Sequence, residues 1–355
     1  MANPELPSSG NPVLVIGVGG IGCELAACCT GASVRRLLHF DAEALDAYDP
    51  AETICLAGDG GDTDDMDPEA MREAAEEAAD RLAGNIEPGT GLAVLLGAIG
   101  GQTGAIVVPT LANEFKNAQC TVVVIALEPL PFEGSGRADM AAQATGELEN
   151  VADVIFSVPN RPIAEVCDPS LPVGEAIATL KRKVVAAVDQ LVKALTCASC
   201  VGLQPSELRR SLTDAGRGAL GIGAGSGAGR VEKAIRDACA NSFLTQESCQ
   251  QASAAILHLL GSGDLSFQEV RSATDIVGQL VGNVPIQVGL SMDPAAADEV
   301  RATLLVTGIR RQNPNAVDDG ALATLGHHQD LSFHDGVNLD VPAFLRRRPL
   351  ARLHY

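Results

Sequence analysis

At 355 residues the chain is long enough for one large α/β domain or two medium ones, which excludes a single small module. Hydrophobic residues at 46% and charged residues at 20% exclude a disordered chain, while a formal charge of -20, no Trp and two Tyr oppose a nucleic-acid partner. The longest apolar stretches, around Val13–Ile21, Gly91–Ile99 and Thr121–Leu127, are too short to cross a bilayer, so no direct membrane insertion is expected.

The opening MANPELPSSG lacks a basic segment followed by an apolar one, and a cytoplasmic location is expected. From Asn11 onward, short β-branched runs alternate with Ala-rich amphipathic stretches, the signature of βαβ units and a parallel sheet. Strands are predicted at Val13–Val18, Val34–Phe40, Leu92–Leu96, Thr121–Leu127 and Asp153–Val158. Helices are predicted at Ile21–Thr30, Pro68–Leu82, Thr103–Asn117, Arg137–Glu149 and Val173–Thr196, the last long enough to act as a spine between two halves. A second region follows, with a helix at Ser206–Ala215 and strands near Gly218–Gly223, Ala252–Leu260, Pro285–Leu290 and Ala302–Ile309. The segment 311–337 reads as a linker, and Asn338–Arg348 joins an acidic start, an apolar centre and a basic end, suited either to docking in a groove or to a frayed terminus.

Gly17-Val-Gly19-Gly20-Ile21-Gly22 follows the first strand and opens a helix, and Asp41 ends the second strand, as in a dinucleotide-binding fingerprint. Glycines let the backbone approach phosphates, and a helix N-terminus supplies free N–H groups and partial positive charge. Taken alone, this pattern fits an NAD or adenylate enzyme, or a purely structural tight turn. A second loop, Gly97-Ala-Ile-Gly100-Gly101-Gln102-Thr103-Gly104, lies between another strand and helix of the same region. Two such loops at carboxyl ends of parallel strands can hold one polyphosphate between them. The Gly-x-x-x-x-Gly-Lys-Ser/Thr pattern is absent, so the phosphates would be cradled mainly by backbone.

At these loops the chain resembles FtsZ and tubulin, whose defining phosphate-binding feature is a glycine-rich Thr-Gly loop. Pro131-Phe-Glu133-Gly134-x-x-Arg137 resembles the family's Phe-Glu-Gly segment, and Val158-Pro-Asn160 resembles the strand end whose Asn lies beside the nucleotide. Leu339-Asp340-Val-Pro342-Ala-Phe344-Leu345-Arg346 is similar to the FtsZ carboxyl-terminal peptide. The resemblance runs from about Asn11 to Ile309, plus the tail. It implies a tubulin/FtsZ fold: a nucleotide domain over 11–172, a central helix over 173–198, a smaller α/β domain over 199–310, and a partner-binding peptide over 338–355. It also implies GTP or GDP with Mg2+, a head-to-tail homopolymer, a membrane-anchoring adaptor such as FtsA, and work at the midcell division site.

The departures from the family pattern carry chemistry. Ile21, Cys23 and Glu24 interrupt the first loop, where the family has glycines followed by Asn; Glu24 either repels phosphate or points outward on the helix's first turn. Gln102 replaces a glycine, and either crowds the γ-phosphate or donates an amide hydrogen bond. On the spine helix the family uses a Phe and an Asp to sandwich and read guanine. The aligned residues here are Ile177 and Arg182, unless the alignment slips by one turn and Arg182 is a solvated helix charge.

The largest departure is Gly202-Leu-Gln204-Pro-Ser-Glu207, aligned with the Asn-x-Asp-x-x-Asp loop that FtsZ inserts against the γ-phosphate of the next subunit. Glu207 keeps one carboxylate, and Gln204 can orient water without charge. Hydrolysis slowed roughly ten- to thousandfold follows, from about 1.4–4 kcal/mol of lost transition-state stabilisation. The alternative is a non-hydrolysing paralogue that regulates or co-assembles with a second FtsZ. Cys197 and Cys200 lack a second ligand pair at zinc spacing, and His327, His328 and His334 read as solvated loop residues, so no metal site is expected in the protein itself. The ten cysteines are expected as free thiols.

Overall fold

The computed structural model describes residues 13–29, 34–57, 67–84, 91–130, 133–158, 172–196, 201–202, 205–240, 243–293, 296–309, 333–334 and 337–338. The chain divides into a compact unit of residues 1–310 and a second of 311–355. In the first unit, β1 (Val13–Val18), β2 (Val34–His39), β3 (Thr53–Cys55), β4 (Leu92–Ala98), β5 (Thr121–Leu127) and β6 (Val154–Val158) form a parallel array. Between them run α1 (Gly19–Ala27), α2 (Pro68–Ala83), α3 (Gln102–Asn117) and α4 (Ser135–Val151). The spine is α5 (Val173–Thr196), followed by β7 (Val201–Gly202) and α6 (Pro205–Leu212). The remainder comprises β8 (Gly216–Ser226), α7 (Arg230–Ala240), α8 (Gln246–Gln251), β9 (Ala254–Gly261), α9 (Phe267–Val281), β10 (Ile286–Met292) and β11 (Glu299–Thr307).

The eleven described strands of this unit belong to one sheet, in the order β3-β2-β1-β4-β5-β6-β8-β11-β9-β10-β7. The mixed α/β, mostly parallel architecture is the expected one. The sheet is continuous because β6 pairs in parallel with the start of β8, Val154 opposite Gly216. Antiparallel pairs appear only beyond that seam, at β8–β11, β11–β9 and β10–β7.

Strands β1, β4 and β5 are apolar and buried nearly end to end, as a parallel sheet covered on both faces requires. One face is packed by α2 and α3 through Met71, Ala75, Val108, Leu111 and Phe115. The other is packed by α1 and the spine, through Leu25, Val184, Val188, Leu191 and Val192, in a cluster that reaches Leu208 and Leu212 of α6 and Leu305 of β11. A third cluster holds α7 and α9 on the later strands. The spine thus shares one core with strands from both halves, fixing the first loops relative to the second half.

Polar ties reinforce the seam. Asp153 is 1% exposed, and its carboxylate accepts from the Val122 N–H at 2.7 Å and the Asp214 N–H at 3.0 Å. Its third partner is the Lys116 ammonium, which also meets Asp214. Thr303 of β11 donates to Gln190 of the spine at 3.1 Å. Where β8 and β9 end and β11 begins, the buried Arg230 guanidinium contacts Asp264, Glu269 and Asp298.

Two short stretches of the unit 311–355 form an antiparallel ladder, β12 (Phe333–His334) with β13 (Val337–Asn338), which starts in the segment expected as a linker and reaches the first residue of the expected tail peptide. The tail residues Asp340, Pro342, Phe344, Leu345 and Arg346, and also Cys197, Cys200, His327 and His328, lie outside the described residues. The seven described cysteines carry free thiols. Burial pushes Cys23 and Cys29 up to about 12, as for small core residues. Among the described residues, no helix is long and apolar enough to cross a membrane.

Candidate functional site

The carboxyl ends of β1, β4 and β5 converge on one cleft. Its lining comprises Ile21 of α1, Ala98, Gly100 and Gly101 of the β4–α3 turn, Leu127–Leu130 after β5, Glu133 and Arg137, and Ile177, Leu180 and Lys181 of the spine; its volume is about 170 Å³. Ile21 of the first loop, Gly100 and Gly101 of the second, the Glu133 turn and the spine therefore border a single space.

The glycines divide into two physical classes. A Cβ on Gly22 would lie 2.4 Å from the Leu96 carbonyl oxygen, and one on Gly104 would lie 2.1 Å from that of Ala98. These two let α1 and α3 seat against β4. Gly20 and Gly101 are different: a Cβ there would meet nothing within 4 Å. No packing among the described residues demands their bareness, and Gly101 lines the cleft. Gly19 takes φ of +70°, a left-handed turn that favours glycine, and a Cβ added there would lie 3.6 Å from the Thr103 methyl of the second loop.

Helices α1 and α3 both begin without a side-chain cap and without an acidic residue in the first turn. Their first N–H groups are thus not engaged by a capping side chain, and each N-terminus carries partial positive charge. Gln102 and Thr103 open α3 at this point. The uncapped helix ends and the open Gly20 and Gly101 fit a polyphosphate better than an apolar ligand.

Glu133 is organised by its own turn. One carboxylate oxygen accepts from the Leu130 N–H at 2.8 Å and the other from Arg137 at 2.7 Å. Asp41 does not reach the cleft; its carboxylate accepts from the Glu43 N–H at 2.9 Å, starting a short turn of 3-10 helix.

Arg182 lies outside the cleft lining. It is exposed and donates to the Thr179 hydroxyl at 2.8 Å. At about 100° per residue, a position four after Ile177 returns to the same helix face and a position five after it does not, so Lys181 takes the cleft side. Lys181 is ion-paired with Glu24 of α1. Glu24 is exposed and points outward, as one of the two expectations has it, but from beyond the first turn of α1, and its charge is paired with Lys181. Asn160 and Gln204 lie outside the described residues. Glu207 is exposed on the first turn of α6, a helix leading into the amino end of β8, and does not line the cleft at the carboxyl ends of β1, β4 and β5.

A family model described as "FtsZ family, C-terminal domain" matches residues 216–310. Over 313 residues the chain is 27% identical to the cell division protein FtsZ of Coxiella burnetii, covering 79% of this chain and 80% of that one. It is 26% identical to the FtsZ of Azotobacter vinelandii, covering 88% and 82%. Among solved structures, an empty FtsZ dimer from M. jannaschii superposes with a TM-score of 0.72 at 22% identity, covering 85% of this chain and 89% of that one. The CetZ2 protofilament of Haloferax volcanii with GTPγS bound gives 0.68 at 19% identity, covering 85% and 94%. These last two likenesses concern the fold.

Proposed function

From the premise that the chain is a divergent member of the FtsZ family, we propose that it binds GTP or GDP, with Mg2+ accompanying the nucleotide, and polymerises head to tail in division-ring assembly. The observation that carries the reading is the single cleft in which Gly100 and Gly101, Ile21, the Glu133–Arg137 pair and the spine converge beside two uncapped helix starts. The bare backbone at Gly20 and Gly101 would hold the phosphates, with the Thr103 hydroxyl beside them, and Glu133 and Arg137 would flank the sugar and base. Bound GTP supplies the γ-phosphoryl group that is transferred to water.

Because Glu207 stands away from the cleft of its own chain, its carboxylate would reach a nucleotide only from a neighbouring subunit, with Gln204 beside it. With one carboxylate in that loop, hydrolysis is slow. The same substitution supports a second reading, a paralogue that assembles with a conventional FtsZ without hydrolysing. The tail residues Asp340, Pro342, Phe344, Leu345 and Arg346 would recruit a membrane-anchoring adaptor such as FtsA at midcell. Deleting residues 338–355 should abolish that recruitment and leave assembly intact; a truncated protein still at midcell in cells without another FtsZ would refute the tail's role.

Nucleotide content after gentle purification tests the central claim. Bound GTP or GDP supports it, NAD would shift the chain to a Rossmann-type enzyme, and electron microscopy with GTP separates filament former from passive binder.

A further inference from the structure

We propose that Ser211 and Gln287 are positioning residues for Glu207, holding its helix at the angle from which the carboxylate would serve a neighbouring subunit. The inference rests on the hydrolytic reading and adds how the segment that carries Glu207 is held. Helix α6 has eight residues, fewer than the ~12–15 an isolated helix needs, so contacts elsewhere fix it. Its apolar side is anchored by Leu208 and Leu212, which belong to the core shared by the spine and the sheet. Apolar burial is non-directional, and a hydrogen bond adds the direction it lacks.

That bond comes from Ser211, one turn after Glu207. Its single hydroxyl hydrogen is shared between the Glu207 backbone carbonyl at 3.0 Å and Gln287 Oε1 of β10 at 2.7 Å. One oxygen thus ties the peptide group of Glu207 to a strand of the sheet. β10 is a firm base, because it pairs with β9 over seven residues, from Ile286 opposite Ala255 to Met292 opposite Gly261. The same strand holds the start of the segment: Gly289 stands opposite Gly202 and Leu290 opposite Val201, the two residues of β7. In sequence, Gln204 and Glu207 therefore lie between two attachments to β10, a backbone ladder before them and the Ser211–Gln287 bond after them. Without that bond α6 can shift against β10, and a carboxylate misplaced by about 1 Å in a site completed by another molecule loses rate steeply. Ser211 and Gln287 are not among the residues lining the nucleotide cleft, so the loss falls on chemistry and not on nucleotide uptake.

Phosphate release from GTP by the full-length protein, divided by the protein sedimented as polymer, tests this. Ser211→Ala and Gln287→Leu should each lower the rate per polymerised subunit about three- to tenfold. GTP affinity by calorimetry should stay within about twofold of wild type. The double variant should be no slower than the slower single one, because all three lack the same bond. Ser211→Thr restores the hydroxyl and should recover most of the rate lost in Ser211→Ala. Ser211 is half-buried and Gln287 exposed, and circular dichroism checks that the variants keep the fold. Single variants at the wild-type rate per polymerised subunit, losses that add in the double variant, or a Ser211→Thr as slow as Ser211→Ala overturn the positioning role while hydrolysis in trans stands. Variants whose polymer yield falls while its rate does not show the bond to serve assembly instead, and overturn it too. A wild type that releases no phosphate overturns the hydrolytic reading and this inference with it.

Discussion

Lys116 at the end of α3 reaches Asp153, just before β6, in an ion pair that is buried on the Asp153 side and extends to Asp214 ahead of β8. One carboxylate thus joins three chain segments at the seam where the parallel array continues into the second half. Asp153→Ala removes the acceptor of two backbone N–H groups and a cation, and should destabilise by about 3 kcal/mol, because breaking a buried pair strands its partners. Asp153→Asn should cost less. Urea unfolding checks both; a loss for Asp153→Ala below about 1 kcal/mol would show the seam to be held by packing alone.

The two classes of glycine predict opposite phenotypes. Gly104→Ala drives a Cβ to 2.1 Å from the Ala98 carbonyl oxygen, and should lower stability by about 1–3 kcal/mol with a matching fall in Tm. Gly101→Val enters open space and should keep the fold while weakening GTP at least about tenfold, and Thr103→Ala should weaken it less. Calorimetry on the soluble variants decides: full GTP affinity in Gly101→Val would remove that loop from the site.

Stability should depend on His258. Burial against a 4% exposed position lowers it from 6.5 to about 4, with Ser291 2.9 Å from its Nε2. The ring is neutral when folded and protonates more readily unfolded, so its contribution is complete above pH 6.5 and is lost as pH falls toward 4. Between pH 7 and pH 5 that loss should be about 2 kcal/mol. Chemical denaturation of wild type and His258→Asn at both pH values isolates it, since Asp264 and Glu269, held low by Arg230 and local hydrogen bonds, titrate below that window. An identical pH response in the two proteins would contradict the assignment.

Much of the architecture is legible in the sequence because it rests on long apolar runs and regular periodicity. Strands β1 and β5 and the spine helix occupy the expected ranges. The three-residue edge strand β3 is too short to show alternation, whereas α7 carries apolar residues at helical spacing, Val231, Ala234, Ile235 and Ala238, although it is not among the expected helices. Helix α9 carries a readable signal, Ser266 with Glu269 as a reciprocal cap, although it is not among the expected helices. At the site, the glycine loops and the Glu133–Arg137 spacing are local features and therefore visible. The Glu24–Lys181 contact spans 157 positions, and only the helical register of α5, counted in fours from Ile177, points to Lys181 over Arg182.

Catalysis across a subunit junction is the remaining expectation. Glu207 is exposed on α6, apart from the cleft of its own chain, and the loop before it carries Gly202 and Gln204 where the resemblance expects Asn and Asp. A single carboxylate organises water and cation poorly, so binding and assembly should persist while chemistry lags. Restoring Gln204→Asp, with Gly202→Asn, should raise phosphate release more than about tenfold and shorten filament lifetime. Glu207→Ala should eliminate residual hydrolysis without preventing nucleotide uptake, because Glu207 is not among the residues lining the cleft. Since the carboxylate would act on a neighbour, activity per subunit should rise steeply above an assembly threshold. Phosphate release measured against protein concentration for wild type and these variants distinguishes the cases: activity strictly proportional to concentration, or unaltered by Glu207→Ala, would rule out catalysis in trans by this loop.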